Sequence, residues 1–316
     1  MKQHRYTVKS HMDGLPLSVL LVEPDIVPKA IVQILHGMSE HKEKYEEFMS
    51  YLAQQGFVSV IHDHRGHGES VYGKEDLGYL YAHGARYIVE DVNQISRMAR
   101  KRYPELPIYL FGHSMGSLIA RAYIKRNDRV IDGLILSGSP SYRSDCKFGY
   151  MLAKFSGKLF GDRAKGNFFY KLAFGAYNKT KKSTNKNVLE CSDEDVSRAY
   201  ETNDLCGVVF SVNGFEHLFK LMINAYSKNH WHMNNTKLPI WFISGSDDPL
   251  LISQKEFLHA VNLLKEVGYK NVKYKLYKGM HHDILSGTDR NKVYQDIVTK
   301  LEVWLNQSNY GAIRRK

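Results

Sequence analysis

The chain has 316 residues, of which 43% are hydrophobic and 24% charged, and this composition is typical of a globular protein with a substantial buried core. No apolar run reaches the roughly 18 residues that a membrane span needs, and the first residues lack the apolar stretch of a signal peptide. The three cysteines, Cys146, Cys191 and Cys206, have no Cys-x-x-Cys spacing, which argues against a disulfide framework and a zinc site. We therefore expect a cytoplasmic protein with free thiols.

The formal net charge is +11, and part of the basic excess lies in two short segments, Lys179–Lys186 and the tail Arg314–Lys316. Neither segment interleaves its basic residues with stacking aromatics or belongs to a nucleic-acid-binding module, so we expect no nucleic-acid partner. A solvated loop and a frayed terminus account for both segments. Attraction to anionic lipid surfaces or substrates is the alternative.

The first half of the chain alternates between predicted strands and helices. Tyr6–Lys9 and Leu17–Val22 are predicted to pair as opening strands across the turn Asp13-Gly14. Ala30–Leu35 is a continuous run dominated by apolar residues, which is typical of a strand buried on both faces of a parallel sheet. The next predicted elements are the helix Glu43–Gln55, the strand Phe57–Ile61, the helix Tyr87–Arg102 and the strands Ile108–Phe111 and Gly133–Leu136.

Residues 141–235 interrupt this alternation, because they are rich in aromatics, irregularly helical in pattern and without a buried-strand signal. Alternation resumes with the strand Ile240–Ile243, the helix Ser253–Val267, the strand Val272–Tyr277 and the helix Asn291–Leu305. We predict a doubly wound α/β domain of residues 1–140 and 236–316, with 141–235 inserted as a helical cap over the carboxyl edge of the sheet. Some cap aromatics are expected to line a cavity.

The strand Ile108–Phe111 leads directly into Gly112-His113-Ser114-Met115-Gly116, which is followed by the helix-like segment Ser117–Tyr123. Strand, Gly-x-Ser-x-Gly and helix in this order are the pattern of a nucleophile elbow, in which two glycines allow a tight turn and the serine oxygen is exposed at the sheet edge. Ser114 is therefore the candidate nucleophile, and the chain must also supply a base, an acid and an oxyanion hole.

Two loops that follow predicted strands carry the candidate acid and base. Ser244–Pro249 contains Asp247 and Asp248, and Lys278–Asp283 contains His281 and His282. Ligands bind beyond the carboxyl ends of strands in such sheets, so a carboxylate and a histidine here can complete a triad. The residues alone leave both choices open, but the order serine, acid, histidine is that of the α/β-hydrolases.

An oxyanion hole needs two backbone N–H groups, one from the residue after the nucleophile and one from the loop after the third strand. Met115 follows Ser114 in the elbow and is expected to supply the first N–H group. Met38 lies in the loop that follows the strand Ala30–Leu35 and is expected to supply the second, with Gly37 allowing the loop to approach closely.

A set of motifs resembles the monoacylglycerol lipase and lysophospholipase-like branch of the α/β-hydrolases, of the serine aminopeptidase S33 type. The motifs are His36-Gly37-x-x-Glu40-His41 with Tyr45, Asp63-x-Arg65-Gly66-His67-Gly68-x-Ser70, Gly112-His113-Ser114-Met115-Gly116, Gly245-x-x-Asp248 and Gly279-x-x-His282. The resemblance implies an α/β-hydrolase fold with a mostly parallel eight-stranded sheet and an inserted cap. It also selects Asp248 and His282, because in the family the acid and the histidine each lie three residues after a loop glycine.

The resemblance also bears on the polar end of the substrate pocket, where it implies Glu40 and Lys44 as contacts. Lys44 occupies a position that is often arginine in the motif, and Leu285 stands where animal monoacylglycerol lipases carry a second histidine. We therefore expect the polar end of the pocket to differ from theirs. The segment Tyr200–Gly207 resembles bacterial members, although it lacks the proline common before Leu205.

The function that follows is a serine hydrolase that cleaves lipid-type carboxylic esters through an acyl-enzyme on Ser114, with His282 as general base oriented by Asp248. A general carboxylesterase and an S33-type peptidase would use the same triad. We expect a lipid or ester substrate, transient contact of the cap with a membrane or micelle surface, and no cofactor.

Two alternatives belong to other classes. The pattern His62-x-His64-x-x-His67 resembles part of the metal-binding run of metallo-β-lactamase-type hydrolases, but Gly66 occupies the position of the required acid. We therefore expect no metal, and a structural role for Asp63, Arg65 and His67 beside the oxyanion hole. A non-catalytic binding protein on this fold is the other alternative, which the complete triad disfavours.

Overall fold

The computed structural model describes residues 1–178 and 202–307, with side chains at all of these positions except 175–178. Eight strands form a single sheet in the order β1-β2-β4-β3-β5-β6-β7-β8. The strands are β1 (Lys2–Lys9), β2 (Pro16–Glu23), β3 (Ala30–Leu35), β4 (Phe57–His62), β5 (Ile108–His113), β6 (Gly133–Ser137), β7 (Pro239–Gly245) and β8 (Asn271–Tyr277). The pairs β1–β2 and β2–β4 are antiparallel and all others are parallel. The predicted mostly parallel eight-stranded sheet is confirmed.

Eight α-helices connect and flank the strands in the described part of the chain. They are α1 (Glu46–Gln54), α2 (Gly84–Arg102), α3 (Met115–Asn127), α4 (Cys146–Phe160), α5 (Asn167–Asn178), α6 (Val212–Tyr226), α7 (Gln254–Glu266) and α8 (Arg290–Gln307). No helix among the described residues is both long and apolar enough to cross a membrane.

Several element boundaries differ from those predicted, and two of the differences have a clear physical reason. β1 begins at Lys2, because its backbone pairing with β2 continues to Glu23 although most of its side chains are exposed and give no alternation. The predicted helix Glu43–Gln55 is divided into a 3₁₀ turn, Lys42–Tyr45, and α1. Backbone pairing between strands with exposed side chains, and a change from 3₁₀ to α-helix, are not visible in the hydrophobic pattern of a sequence.

The core lies in two layers, one on each face of the sheet, because successive side chains of a strand point to opposite faces. Along β3, Val32 and Ile34 join the layer that contains α1 and α8, whereas Ile31 and Leu35 join the layer that contains α2, α3 and α7. Both faces of the parallel strands are therefore covered, and only the loops at the strand ends are available for a site.

The segment between β6 and β7 contains α4, α5 and α6 in its described part, together with an isolated antiparallel bridge between Lys165 and Ser211. Ser211 caps α6, since its side-chain oxygen accepts the N–H of Gly214 at 3.1 Å. α6 packs against α4 and also against α2 and α3. The division into core residues 1–140 and 236–316 and cap residues 141–235 stays a prediction.

Several features noted in the sequence fall outside the described residues. They are the basic segment Lys179–Lys186, the tail Arg314–Lys316 and Cys191. The other two cysteines, Cys146 and Cys206, carry thiols that are not joined in a disulfide.

Candidate active site

Ser114 occupies the turn between β5 and α3 in a strained backbone conformation, with φ of 52° and ψ of −117°. The flanking glycines permit this turn. A Cβ at Gly112 would lie 2.6 Å from the carbonyl oxygen of Gly116, and a Cβ at Gly116 would lie 2.1 Å from that of Leu35. The sequence thus folds here into an elbow that only glycine at both positions can make, with the serine at its apex.

The structure brings Ser114, His282 and Asp248 into one hydrogen-bonded chain. His282 Nε2 lies 2.8 Å from Ser114 Oγ, and His282 Nδ1 lies 2.9 Å from Asp248 Oδ2. When Nδ1–H donates to the carboxylate, Nε2 is the acceptor for the serine proton. This arrangement can generate a nucleophilic alkoxide at Ser114 and hold the imidazolium that forms.

Asp248 is fully enclosed and has all the partners that an ionised carboxylate needs. Besides His282, Oδ2 accepts the hydroxyl of Ser244 at 2.8 Å, and Oδ1 accepts the backbone N–H of Leu250 at 2.8 Å. Burial by itself would raise the pKa of Asp248, but the His282 imidazole and these hydrogen bonds lower it below its usual value. The neighbouring Asp247 is exposed, and its carboxylate accepts the hydroxyl of Ser246.

The approach of the two loops requires glycines on the neighbouring strand ends. Gly138 follows β6 with φ of 54°, and a Cβ there would lie 2.9 Å from Cε1 of His282. At Gly245, a Cβ would lie 2.0 Å from the carbonyl oxygen of Met280. Sequence reasoning missed the roles of Gly138 and Ser244. Gly138 directly follows β6, and Ser244 is the last residue but one of β7, so both lie at strand ends, where site residues were expected.

Met38 and Met115 line the same cavity as Ser114. Met115 is the first residue of α3, so its backbone N–H has no partner within the helix and lies at the positive end of the helix dipole. The loop before Met38 is held by His36, whose Nδ1 contacts the carbonyl oxygen of Gly37 at 2.8 Å and whose Nε2 accepts the N–H of His64 at 2.9 Å. Burial lowers the pKa of His36 to about 4, so its ring is neutral. One ring nitrogen can then donate to the carbonyl oxygen of Gly37 while the other accepts the N–H of His64.

An apolar cavity opens at Ser114, with about 720 Å³ of space that no atom fills, its mouth included. Its wall comes from the elbow, from the loops after β3, β6 and β7, and from α3, α4, α5 and α6. The loop after β3 carries Met38, the predicted oxyanion donor, and is called the oxyanion loop below. The lining residues are Met38, Ser114, Met115, Leu118, Pro140, Ser141, Arg143, Asp145, Cys146, Leu172, Ala173, Phe174, Leu218, Phe219, Met222 and Leu250. The reacting serine therefore faces a chamber suited to a hydrocarbon chain.

Comparison with known proteins decides the family. Residues 27–289 match the family model described as serine aminopeptidase, S33. The chain belongs to this family. The family resemblance that the motifs indicated is thereby confirmed. Relatives of this S33-family hydrolase include named lipases and a phospholipase.

The monoglyceride lipase of Rattus norvegicus is 24% identical over 295 residues, which cover 93% of this chain and 88% of that protein. Phospholipase YtpA of Bacillus subtilis is 25% identical over 276 residues, covering 85% and 93% of the two chains. A thermostable carboxyl esterase from Bacillus coagulans, solved with glycerol, superimposes with a TM-score of 0.88 at 24% identity and covers 96% of this chain and 99% of its own. That likeness shows the α/β-hydrolase fold. The predicted enzyme class, a serine hydrolase of carboxylic esters, is confirmed.

In this S33-family hydrolase, Glu40 and Lys44 belong to a buried network behind the oxyanion loop and do not line the cavity. Glu40 Oε2 accepts the N–H of Gly37 at 3.0 Å and the hydroxyl of Tyr45 at 2.8 Å, and Oε1 pairs with Lys44 at 2.7 Å. Lys44 also pairs with Asp283 at 2.9 Å. Burial opposes ionisation of Glu40, but Lys44 holds its pKa well below the usual range. Contact of either residue with the polar end of a substrate stays a prediction.

The histidines of the candidate metal motif are packed against one another in the interior. The ring of His64 lies 4.2 Å from that of His36 and 5.0 Å from that of His62, between centroids. Burial lowers the pKa of both His62 and His67 to about 3. Within residues 1–178 and 202–307, no group of three or more His, Cys, Asp or Glu side chains is arranged to hold a metal ion.

Charged residues between these histidines hold the loop in place. Asp63 accepts the backbone N–H and the ammonium of Lys42 at 2.7 and 2.9 Å, and the N–H of Glu69 at 2.9 Å. Arg65 donates to Asp91 at 2.9 Å and to Asp13 at 2.9 Å. These contacts fix the loop that follows β4 beside the loop that follows β3.

The segment before α6 is hydrogen-bonded to the oxyanion loop, which sequence reasoning did not predict. The N–H of Gly207 donates to the carbonyl oxygen of Ser39 at 3.0 Å, and the Ser39 hydroxyl donates to the carbonyl oxygen of Val208 at 2.6 Å. Asn203 Nδ2 lies 3.0 Å from Nε2 of His41. Residues of the predicted cap thus contact the loop that carries Met38, and other residues of the cap form part of the cavity wall.

Proposed function

We propose that this hydrolase cleaves lipid-type carboxylic esters, such as monoacylglycerols or lysophospholipids, through an acyl-enzyme on Ser114. The observation that carries the proposal is the apolar cavity that opens at Ser114, next to the hydrogen-bonded chain of His282 and Asp248. A hydrocarbon chain in this cavity would place its ester carbonyl at the nucleophile. Two of the relatives are named for activities of the same class, monoglyceride lipase and phospholipase.

In the first half-reaction, His282 takes the proton of Ser114 Oγ while the oxygen attacks the ester carbonyl carbon. The negative charge that develops on the carbonyl oxygen is stabilised by the N–H groups of Met38 and Met115 and by the N-terminus of α3. As the tetrahedral intermediate collapses, His282 gives its proton to the leaving alcohol. The acyl group is then esterified to Ser114.

In the second half-reaction, His282 removes a proton from water, and the hydroxide attacks the acyl-enzyme carbonyl. Collapse releases the fatty acid and returns the proton to Ser114 through His282. Asp248 stays ionised throughout, because its hydrogen bonds and the imidazolium favour the charged form.

Hydrophobic side chains from three helices form the proposed acyl site. Leu118 on α3, Phe174 on α5, and Leu218, Phe219 and Met222 on α6 all face the cavity. Each methylene group moved from water into such surroundings contributes about 0.8 kcal/mol, or close to fourfold in affinity. The site should therefore favour medium and long acyl chains over acetyl.

The charged groups of the wall disfavour the peptidase alternative. An aminopeptidase would need a carboxylate to bind the substrate amine, and Asp145 is the one carboxylate among the described lining residues. Both of its oxygens are engaged by Arg143, at 3.1 and 2.6 Å. The amine subsite that this reaction requires is therefore not offered by Asp145.

A chain-length series tests the proposal. We expect kcat/KM for monoacylglycerols to rise from two carbons to at least eight, whereas aminoacyl nitroanilides should be cleaved far more slowly than nitrophenyl esters of the same concentration. The variant Leu218→Trp should shift the optimum to shorter chains, and the matched exposed variant Val303→Trp should not. A strong preference for acetyl esters, or faster cleavage of the anilides, would contradict the proposal.

A further inference from the structure

Helix α4 places its small residues inward and most of its large apolar residues outward, the reverse of an ordinary surface helix. The face that packs on α6 is formed by Gly149, Ala153 and Gly157, all buried. A Cβ at Gly149 would lie 3.0 Å from the ring of Phe219, so the two helices approach closely. Tyr150 and Leu152 are partly buried and pack against the core, whereas Phe148, Met151, Phe155 and Leu159 point away from it.

Four of the large side chains form one outward stripe. Phe148, Met151, Phe155 and Leu159 are exposed at 65%, 64%, 64% and 63%, and at 100° per residue they fall within an arc of about 80° on the helix. Phe160 and Phe168 follow in the chain, at 71% and 60% exposure. With roughly 200 Å² on each phenylalanine and slightly less on methionine and leucine, the six residues leave roughly 750 Å² of apolar surface in water, more than the largest patch of a typical monomer.

A row of lysines runs beside this stripe. Lys147, Lys154 and Lys158 are exposed and lie about 90° around the helix from the stripe, at spacings of seven and four residues. Within the described part of the chain none of the three forms an ion pair, although Lys154 lies in electrostatic range of Glu216. The helix itself contains no acidic residue.

We propose that this face, the stripe and its lysine row, docks the enzyme on an anionic lipid surface. The apolar side chains would enter the boundary between headgroups and acyl chains, while the lysines would pair with anionic headgroups. The inference extends the proposed function by naming where a lipid substrate is collected. Cys146 at the start of α4 and Phe174 on α5 line the cavity, so the helices that carry the face also form the cavity wall.

A second copy of the chain is a poorer occupant of this face. The apolar area, roughly 750 Å² on each partner, is close to the roughly 800 Å² of a standard interface, so the charges and not the area distinguish the two occupants. In a two-fold dimer the same residues meet on both copies, so the lysine rows would be brought close to one another. Like charges so placed oppose association, whereas an anionic bilayer neutralises them.

Sedimentation of full-length protein with large unilamellar vesicles tests the inference without turnover, so it is independent of the proposed reaction. We expect binding to vesicles of phosphatidylcholine with 30% phosphatidylglycerol, weaker binding to phosphatidylcholine alone, and a loss of binding as salt rises. The double variant Phe148→Ser with Phe155→Ser should bind at least about tenfold more weakly. The matched double variant Ile26→Ser with Val27→Ser, exposed at the opposite edge of the sheet, should bind like wild type.

The lysine row is tested by changing Lys147, Lys154 and Lys158 together to Gln. At about fivefold per lysine, binding to the anionic vesicles should fall roughly 100-fold. Changing Lys255, Lys265 and Lys292 to Gln removes the same charge elsewhere and should have a much smaller effect. Hydrolysis of a short soluble ester should be unchanged in all these variants, which shows that they are folded.

Three outcomes would overturn the inference. The first is that wild-type protein sediments with neither type of vesicle, and the second is that the phenylalanine variant binds as tightly as wild type. The third is a dimer, detected by analytical ultracentrifugation without lipid, that the phenylalanine substitutions dissociate; the face is then an interface between copies of the chain.

Discussion

The loops around Ser114 and the outer face of α4 differ in how their side chains are satisfied. At the triad, His282 and Asp248 are buried, and their polar side-chain atoms have hydrogen-bond partners. The Ser244 hydroxyl and the Leu250 N–H also donate to the Asp248 carboxylate. On α4, large apolar side chains such as Phe148 and Phe155 are held in water with no partner in the described chain. The first region is preorganised for chemistry, and the second is suited to a surface that the enzyme meets.

This comparison predicts that changes in the two regions affect different measurements. The largest effect is expected for His282→Ala, which removes the only base within reach of Ser114 Oγ in the described structure. We expect kcat/KM to fall by at least about 10⁴-fold on both soluble and vesicle-bound esters. Vesicle binding should be unchanged. Substantial activity in this variant would show that another group activates the serine.

A somewhat smaller loss is expected for Asp248→Asn. The amide cannot stabilise the imidazolium and favours the wrong histidine tautomer, so we expect kcat to fall by about 10³- to 10⁴-fold. Asp247→Asn is the matched control, because this adjacent carboxylate is exposed and should change kcat less than twofold. If the two variants lose similar activity, the assignment of the acid is wrong.

Glu40→Gln distinguishes two roles for a residue that the family resemblance predicts to contact the polar end of the substrate. In the structure its carboxylate holds the N–H of Gly37 and the hydroxyl of Tyr45. If it positions the oxyanion loop, kcat should fall by roughly 10- to 100-fold on all esters with KM little changed. The exposed control Glu47→Gln should be neutral. A rise in KM confined to glycerol esters would instead support direct contact with the substrate.

The smallest effect concerns stability in acid. His62 is buried with its pKa lowered to about 3, so below pH 6.5 the unfolded chain binds a proton that the folded chain does not. Stability is therefore lost as pH falls from 6.5, by about 2 kcal/mol at pH 5 for this residue. His62→Leu should lose less unfolding free energy than wild type between pH 7 and 5, as measured by urea denaturation at each pH. An identical pH dependence would contradict this account.

Much of the fold follows from local signals. β3 has the predicted bounds, Ala30–Leu35, because a strand buried on both faces carries a run of apolar residues, which only Gln33 interrupts here. The elbow is equally predictable from the sequence, because the turn at Ser114 requires glycines at positions 112 and 116. The first helix after β3 was less predictable, since the 3₁₀ turn Lys42–Tyr45 has the same hydrophobic pattern as the α-helix that follows.

The site was predictable where it depends on motifs and not where it depends on tertiary contacts. The sequence identified Ser114, and the family resemblance selected Asp248 and His282, which the structure brings together; their catalytic roles stay predictions. Gly138, which makes room for His282, and the contacts of Gly207 with Ser39 join segments far apart in the chain. The exposed stripe of α4 could not be predicted from the sequence, because apolar side chains are normally expected in the core. Only the packing of α4 on α6 shows which face of the helix is buried.

The central claim is that Ser114 is an activated nucleophile, and labelling with a fluorophosphonate followed by intact-protein and peptide mass spectrometry tests it most directly. Ser141 also lines the cavity and donates its hydroxyl to the carbonyl oxygen of Leu251, so Ser141→Ala is the matched control. We predict a single adduct on Ser114 in the wild type and in Ser141→Ala, and none in Ser114→Ala. Absence of labelling in the wild type, or an adduct that survives Ser114→Ala, would contradict the account.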